Sequence, residues 1–255
     1  MKKIESVNNQ YIKDLYKLHD KKYREIDKKF LIEGKKLIQE AYVTNNLQTI
    51  LTTDTEFELD GIETVLVTDA IIQKLAYTKS PQKYIGVCKY IDPKESNPSK
   101  ILILDDIQDP GNLGTLVRSC LGFNIDKIYL SSSSVDLYND KFIRSSGGAI
   151  FHVDIEVANL YDKIVELKGN NISVFGTSLI NGVDLTKITV PEKYAIILGN
   201  EGNGVKRELL EITSKNIFIN TNPLLESLNV AVAGSIILHY FNTKKSWLNI
   251  RILFI

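Results

Sequence analysis

The chain predicts an α/β protein in which a larger C-terminal part is built on a parallel sheet and a smaller α/β unit precedes it. Three observations lead there. From Ile101 to Tyr240 short apolar runs alternate with segments of helical spacing, the pattern of strands returned to one sheet by crossover helices. Ile101–Leu104 is an unbroken apolar run, as suits a strand covered on both faces. Between Ile91 and Lys100 the composition turns to Asp, Pro, Lys, Glu, Ser and Asn, with two prolines and no large apolar residue after Ile91, which marks a linker. The expected boundaries are an α/β unit over 1–92, a linker over 93–100, the main domain over 101–243 and a tail over 244–255. On this reading a chain starting near Ser99 folds alone.

The elements follow in order. Tyr11, Ile12, Leu15, Leu18 and Tyr23 recur at helical spacing among charges, predicting one basic surface helix from Tyr11 to Lys29. Phe30–Ile32 reads as a strand, Gly34–Tyr42 as a helix with Leu37, Ile38 and Ala41 on one side, and Leu47–Leu51 as a strand. Thr64–Val67 is a strand, Asp69 caps a helix reaching Ala76, and Ile85–Tyr90 is a strand. Beyond the linker, strands are expected at Ile101–Leu104, Lys127–Leu130, Ile172–Phe175, Ala195–Leu198 and Ile217–Ile219. Helices are expected near Gly114–Leu121, Asp140–Ser145, Leu160–Leu167, Val205–Ile212 and Leu228–Tyr240.

Composition narrows the function classes. Hydrophobic residues make up 44% of 255, enough for packed cores and too many for a disordered chain. Ten lysines and Arg24 oppose seven acids over the first 40 residues, while the whole chain is neutral; this asymmetry suits contact with a polyanion, and equally a solvated lysine-rich helix face. Cys88 and Cys120 stand apart, without a Cys-x-x-Cys or clustered histidines, so neither a disulfide framework nor a metal site is expected. With no run of about 18 apolar residues, membrane insertion is not expected and a reducing cytoplasm is the default. The glycine spacing of dinucleotide folds and the phosphate loop of ATPases are both missing.

Three loops, each following an apolar strand, collect the special polar residues. The first, Asp109 to Arg118, turns at Asp-Pro-Gly and then presents Asn112 and Arg118. Its strand-loop-helix pattern places them at the ligand crevice of a parallel sheet, although the same residues make an ordinary capped helix start. The second, Ile197 to Val205, sets three glycines around Glu201, letting backbone approach a ligand closely. The third, Asn222 to Asn229, opens the last helix with Pro223, Ser227 and Asn229.

Asn112-Leu113-Gly114 with Arg118, then Leu198-Gly199-Asn200-Glu201-Gly202, then Glu226-Ser227-Leu228-Asn229-Val230 resemble, in order and spacing, the three motifs of the SpoU family of RNA ribose 2′-O-methyltransferases in the SPOUT class. Asp136-Leu137-Tyr138-Asn139 and Arg144 to Ala149 resemble the family's segment between motifs. Lys21-Lys22-Tyr23-Arg24 and Phe30 to Gly34 are similar to its small N-terminal, ribosomal-protein-like substrate-binding domain. The resemblance implies a C-terminal trefoil knot, a homodimer and S-adenosylmethionine as cofactor, with no metal. It implies methyl transfer to a ribose 2′-hydroxyl, ribosomal RNA being the leading substrate. The alternatives are a tRNA-directed enzyme and a catalytically silent RNA-binding protein. Catalytic roles fall to Asn112, Arg118, Glu201, Ser227 and Asn229. Cofactor contacts fall to Gly176, Thr177, Leu198, Gly199, Asn200, Gly202, Ile219, Leu228 and Asn229, and RNA contacts to Lys21, Lys22, Arg24 and Arg144.

Two stretches depart from the family pattern. Before the third motif, Ile219-Asn220-Thr221 and Pro223 stand where the family has Ile-Pro-Met and a glycine, and the end after Tyr240 is apolar rather than polar. A guanidinium is a poor base, so Arg118 is expected to pair with the neighbouring phosphate and polarise the hydroxyl. On the last helix the small face of Val230, Ala231, Ala233, Gly234 and Ile237 is expected at the dimer interface. The alternative is that this helix merely covers its own sheet, which its remaining apolar residues, Val232, Ile236 and Leu238, suffice to do.

Overall fold

The computed structural model describes residues 2–243; the apolar tail read from the sequence lies outside the described residues. Two compact units emerge, the first taking the chain to Asp92 together with Asp136–His152, the second Pro93–Val135 and the chain from Val153.

In chain order the first unit begins with β1 (Lys2–Ile4), α1 (Gln10–Lys17), α2 (Lys21–Asp27), β2 (Lys29–Glu33), α3 (Lys35–Val43), β3 (Leu47–Thr52), β4 (Glu63–Val67), α4 (Asp69–Leu75) and β5 (Tyr84–Lys89). Its sheet runs β1-β4-β3-β5-β2, with β5 antiparallel to both neighbours. The single helix expected from Tyr11 to Lys29 is two. Asp20 caps α2 by accepting from the Lys22 N–H at 2.9 Å, and Lys28 ends it in the left-handed region at φ 52°. The apolar stripe of Ile12, Leu15 and Leu18 is buried as expected, but hydrophobic spacing does not register a break that lies on the polar side.

The chain then enters the second unit with β6 (Lys100–Leu104), α5 (Pro110–Gly122) and β7 (Lys127–Leu130), and returns to the first for α6 (Asp140–Ser146). This segment was expected in the C-terminal domain; instead it completes the first unit's core. Phe142 and Ile143 are buried, Tyr138 stacks on Tyr90 with ring centroids 3.7 Å apart, and Phe30 meets Tyr138 at 4.7 Å. Beneath them Arg24 donates to Asp136 at 2.6 Å and to the carbonyls of Leu18 and His19 at 2.8 Å. Spacing within a segment identifies its buried side, not the sheet that buries it.

The second unit continues with β8 (Asp154–Val157), α7 (Leu160–Gly169), β9 (Ser173–Thr177), β10 (Gly182–Asp184), β11 (Tyr194–Leu198), α8 (Arg207–Glu211), β12 (Lys215–Phe218) and α9 (Val230–Thr243). Its seven strands are all parallel, in the order β10-β12-β9-β11-β6-β7-β8. Ile101, Ile103, Ala195 and Ile197 join Ile164, Leu167 and Leu209 in one core layer. The alternate residues Leu102, Leu104, Ile196 and Leu198, equally buried, point to the opposite face. There α9 lies close: a Cβ on Gly234 would stand 2.5 Å from Leu116 Cδ2 and 2.6 Å from Leu198 Cδ1.

This contact reverses most of the expected faces of α9. Ala231, Gly234 and Ile237, expected at the interface, are buried within the chain, while Val232 and Ile236 are 48% and 40% exposed; Leu238 alone of the expected sheet-covering residues is buried. Both faces are apolar, so residue type alone does not decide which one meets the sheet.

Candidate active site

From β6 the chain runs outward to β7 and β8, and from β9 onward it fills the other side, so the strand order reverses between β6 and β11. At such a reversal the loops from neighbouring strands diverge and leave a crevice at the carboxyl edge. The loops after β6 and β11 emerge there, and the start of α9 closes the group.

Each loop holds its side chain by local hydrogen bonding. Asp109 caps α5 by accepting from the Asn112 N–H at 2.8 Å, with Pro110 filling a first-turn position whose N–H has no use. After β11, Asn200 Oδ1 accepts from the N–H groups of Gly202 and Asn203 at 2.9 and 3.0 Å, and the backbones of Asn200 and Gly204 exchange two hydrogen bonds. A side chain at Gly199 has no room, since its Cβ would lie 2.1 Å from Gly204 C and Val205 N. Asn229 Oδ1 caps α9 through the N–H groups of Ala231 and Val232 at 2.9 and 3.2 Å.

These anchors bring Asn229, Asn112 and Glu201 into one chain of hydrogen bonds. Glu201 Oε1 accepts from Asn112 Nδ2 at 3.0 Å and from the Asp109 N–H at 3.2 Å, and its Oε2 accepts from the Gln108 N–H at 3.2 Å. Asn112 Oδ1 in turn accepts from Asn229 Nδ2 at 2.9 Å. A carboxylate only accepts, so it fixes which end of Asn112 faces it, and that orients Asn229. Burial pushes the Glu201 carboxyl up, but the Asn112 amide and the N–H groups of Glu201, Asp109 and Gln108 outweigh it and hold the group below the usual carboxylate range. The loop carrying two of those donors is itself held. Asp106, left-handed at φ 60°, donates its N–H to Ser131 Oγ at 2.9 Å, and its carbonyl accepts from Asn200 Nδ2 at 2.9 Å.

Beside this chain lies a cavity of about 600 Å³, within the range of small-molecule sites. Thr177, Leu198, Gly199, Asn200, Gly202, Ile219, Leu228 and Asn229 line it, as do Glu201 and Ser227. Gly176 does not. It faces the opposite side of the sheet, where a Cβ would stand 2.5 Å from Asn216 Oδ1 and 2.6 Å from Leu210 Cδ2, because neighbouring strand residues point to opposite faces. Sequence reasoning missed Ser178, Leu179, Glu226 and three residues of α9, Val230, Ala233 and Ile237; the helix contributions follow from the reversed face.

Arg118 is not part of this assembly. It is exposed on α5 and does not line the cavity, and among the described residues it has no hydrogen-bonding or ion-pair partner. Six residues beyond Asn112 amount to about 1.7 helical turns, which turns its side chain away from the chain of amides. Of the expected RNA contacts, Lys21 and Lys22 are exposed, with the Lys22 ammonium 5.7 Å from the Tyr23 ring, and exposed Arg144 pairs with Asp140. Arg24 is 6% exposed and its two terminal nitrogens bond inside the unit to Asp136 and the carbonyls of Leu18 and His19, so it cannot serve as an RNA contact. Among the described residues no group of three metal-ligating side chains occurs, and no helix is long and apolar enough to cross a membrane.

The cavity lining fits S-adenosylmethionine. Leu198, Ile219, Leu228, Val230 and Ile237 offer apolar walls for a flat ring, and among the described residues Glu201 and Glu226 are its only charged side chains and no lysine or arginine lines it. That suits a cationic sulfonium and disfavours a phosphate-bearing cofactor. Fold and site together define an α/β transferase with its cofactor held in loops at the reversal of a parallel sheet.

The SpoU rRNA methylase family matches residues 99–239, and the MRM3-like substrate binding domain matches residues 9–86. The chain belongs to the SpoU rRNA methylase family and is an S-adenosylmethionine-dependent RNA 2′-O-ribose methyltransferase. It is 37% identical over 245 residues to the 23S rRNA (guanosine(2553)-2′-O)-methyltransferase RlmP of Bacillus subtilis, covering 94% of this chain and 99% of that one. An AdoMet-bound rRNA methyltransferase from Sinorhizobium meliloti superimposes with a TM-score of 0.86 at 26% identity, covering 95% of this chain and 97% of its own. A TrmH-family structure from Porphyromonas gingivalis superimposes with a TM-score of 0.85 at 27% identity, covering 94% of this chain and 99% of its own.

Proposed function

We propose that this enzyme methylates the 2′-hydroxyl of a guanosine in 23S ribosomal RNA, as its Bacillus subtilis relative is named for doing, and that it acts as a knotted homodimer in the cytoplasm. The observation that carries the reading is the directed chain Asn229–Asn112–Glu201 at the rim of the 600 Å³ cavity. When bound, S-adenosylmethionine supplies a methyl group on a sulfonium, open to in-line attack. The chain's own residues hold the ribose. Asn112 and Asn229 fix their amides against Glu201, and Ser227 at the cavity wall offers a hydroxyl to the sugar or the cofactor. Glu201 and Glu226 favour the cationic cofactor over its neutral product.

Arg118 completes the site from the partner protomer, which accounts for its exposure and its distance from the amide chain in its own. There it pairs with the phosphate beside the target ribose and polarises the hydroxyl. The interface is the outward stripe of Val232 and Ile236, continued by Leu121 of α5, which is 43% exposed. A row of exposed apolar residues on adjoining helices is covered in a stable assembly.

To test the reaction, the full chain is incubated with labelled S-adenosylmethionine and 23S rRNA from cells lacking the gene, and the 2′-O-methyl position is mapped. Label at one guanosine is expected; label in tRNA alone, or cofactor binding without transfer to any RNA, overturns it. For the assembly, Ile236→Arg should lower dimer content in sedimentation and activity together. An active monomer removes the role given to Arg118.

A further inference from the structure

A second cavity, of about 460 Å³, lies on the other helical layer of the same unit. The loop after β11 separates the two cavities. Gly199 to Gly202 and Gly204 line the first, Lys206, Glu208 and Leu209 the second. At the second, Asp105 is 1% exposed. Its Oδ2 accepts from the Lys206 N–H at 2.9 Å, while its Oδ1 receives no hydrogen bond among the described residues, although Lys206 Nζ stands 3.2 Å away. That lysine side chain is 51% exposed, so it covers the carboxylate and is free to swing off it. At the rim, Tyr161 and Val157 are 45% and 52% exposed.

This chemistry selects a ligand class. A phosphate is repelled by a buried carboxylate, whereas N–H donors on a flat ring are matched by it. Tyr161 offers a stacking face for such a ring, and Lys206, displaced into solvent, meets a backbone phosphate. The wall is also wired to the catalytic loop. Ser131 Oγ accepts from the Asp106 N–H, Gln108 Nε2 donates to the Ser133 carbonyl at 2.8 Å, and the Gln108 N–H holds Glu201.

We propose that this cavity is a subsite for a nucleobase flanking the methylated nucleotide, one bearing an exocyclic amino group: guanine, cytosine or adenine rather than uracil. Uracil fails because its single N–H lies between two carbonyl oxygens that face the carboxylate. The proposal rests on the RNA-methylation reading, and its test measures RNA binding apart from methyl transfer. A labelled 23S rRNA fragment spanning the mapped position is titrated with the full chain without cofactor. Fragments carrying uridine at each nearby position in turn are titrated alongside.

Affinity should fall at one amino-bearing position. Tyr161→Ala should weaken binding of the parent fragment by about five- to 150-fold, the loss of one stacked base. Asp105→Asn should keep the Lys206 N–H contact yet lose discrimination at that position, and both variants should bind S-adenosylmethionine unchanged in calorimetry. Should Asp105→Asn fail to fold, the rim variant decides alone. Unchanged RNA affinity in Tyr161→Ala, or no uridine-sensitive position, overturns the subsite. Uridine-sensitive binding by a parent chain that transfers no methyl group counts for the subsite and against the reaction.

Discussion

Arg24 of the first unit and Arg118 of the second carry the same side chain under opposite conditions. Arg24 is 6% exposed and bonded to Asp136 and two carbonyls; Arg118 is exposed and bonded to nothing among the described residues. A guanidinium buried with its terminal nitrogens bonded inside a unit stabilises that unit and presents no donor to a ligand. One left free on a helix next to a site is available to meet an anion. The comparison teaches that local charge composition, which grouped Arg24 with Lys21 and Lys22, does not predict availability. Burial and internal pairing do.

The largest expected effect breaks the first side of the comparison. A chain beginning at Ser99 leaves Tyr138, Phe142, Ile143 and Phe151 without the strands that cover them, and removes the partner of Asp136. It should aggregate or lose its near-ultraviolet circular dichroism; a soluble, cofactor-binding fragment would show that the first unit is not needed to bury that segment. Arg24→Ala acts more locally. It strands the partly buried Asp136 carboxylate, whose side chain is 18% exposed, and should cost about 1–3 kcal/mol in urea unfolding, with RNA affinity of the folded protein unaltered.

Arg118→Ala sharpens the other side. Stability and S-adenosylmethionine binding should match the parent, while kcat for methyl transfer falls about a hundred- to thousandfold, the usual effect of losing a charge-assisted contact made in the transition state. Equal turnover would place the arginine outside the chemistry. The smallest effect concerns Glu201. Its folded pKa lies below the ordinary value of 4.5, so the ionised group adds stability above that value, and the contribution is lost as pH falls through the folded pKa. In urea titrations the parent's advantage over Glu201→Gln should therefore be steady near neutrality and shrink below pH 4.5. An advantage that grows on acidification contradicts the hydrogen-bonded carboxylate.

Element types and the three loops were legible in the sequence because they rest on local physics. Apolar runs such as Ile101–Leu104 bury themselves wherever the chain puts them, and Asp109, Asn200 and Asn229 bond amides only two or three residues away. Spacing was therefore enough to identify nearly all of the strands. It missed β1, β8 and β10, short strands in which charged residues or glycine interrupt any apolar run. Other questions depended on what lies across from a residue. The side of α9 that meets the sheet, the side of β9 to which Gly176 points, and the internal pairing of Arg24 with Leu18, His19 and Asp136 are settled by partners as far apart in the sequence as Leu116 and Gly234. The same holds for the order of proton donors from Asn229 through Asn112 to Glu201. Residue types show that these groups can bond, but only the packing of β6 beside β11 brings a carboxylate to one end and sets the direction of the rest.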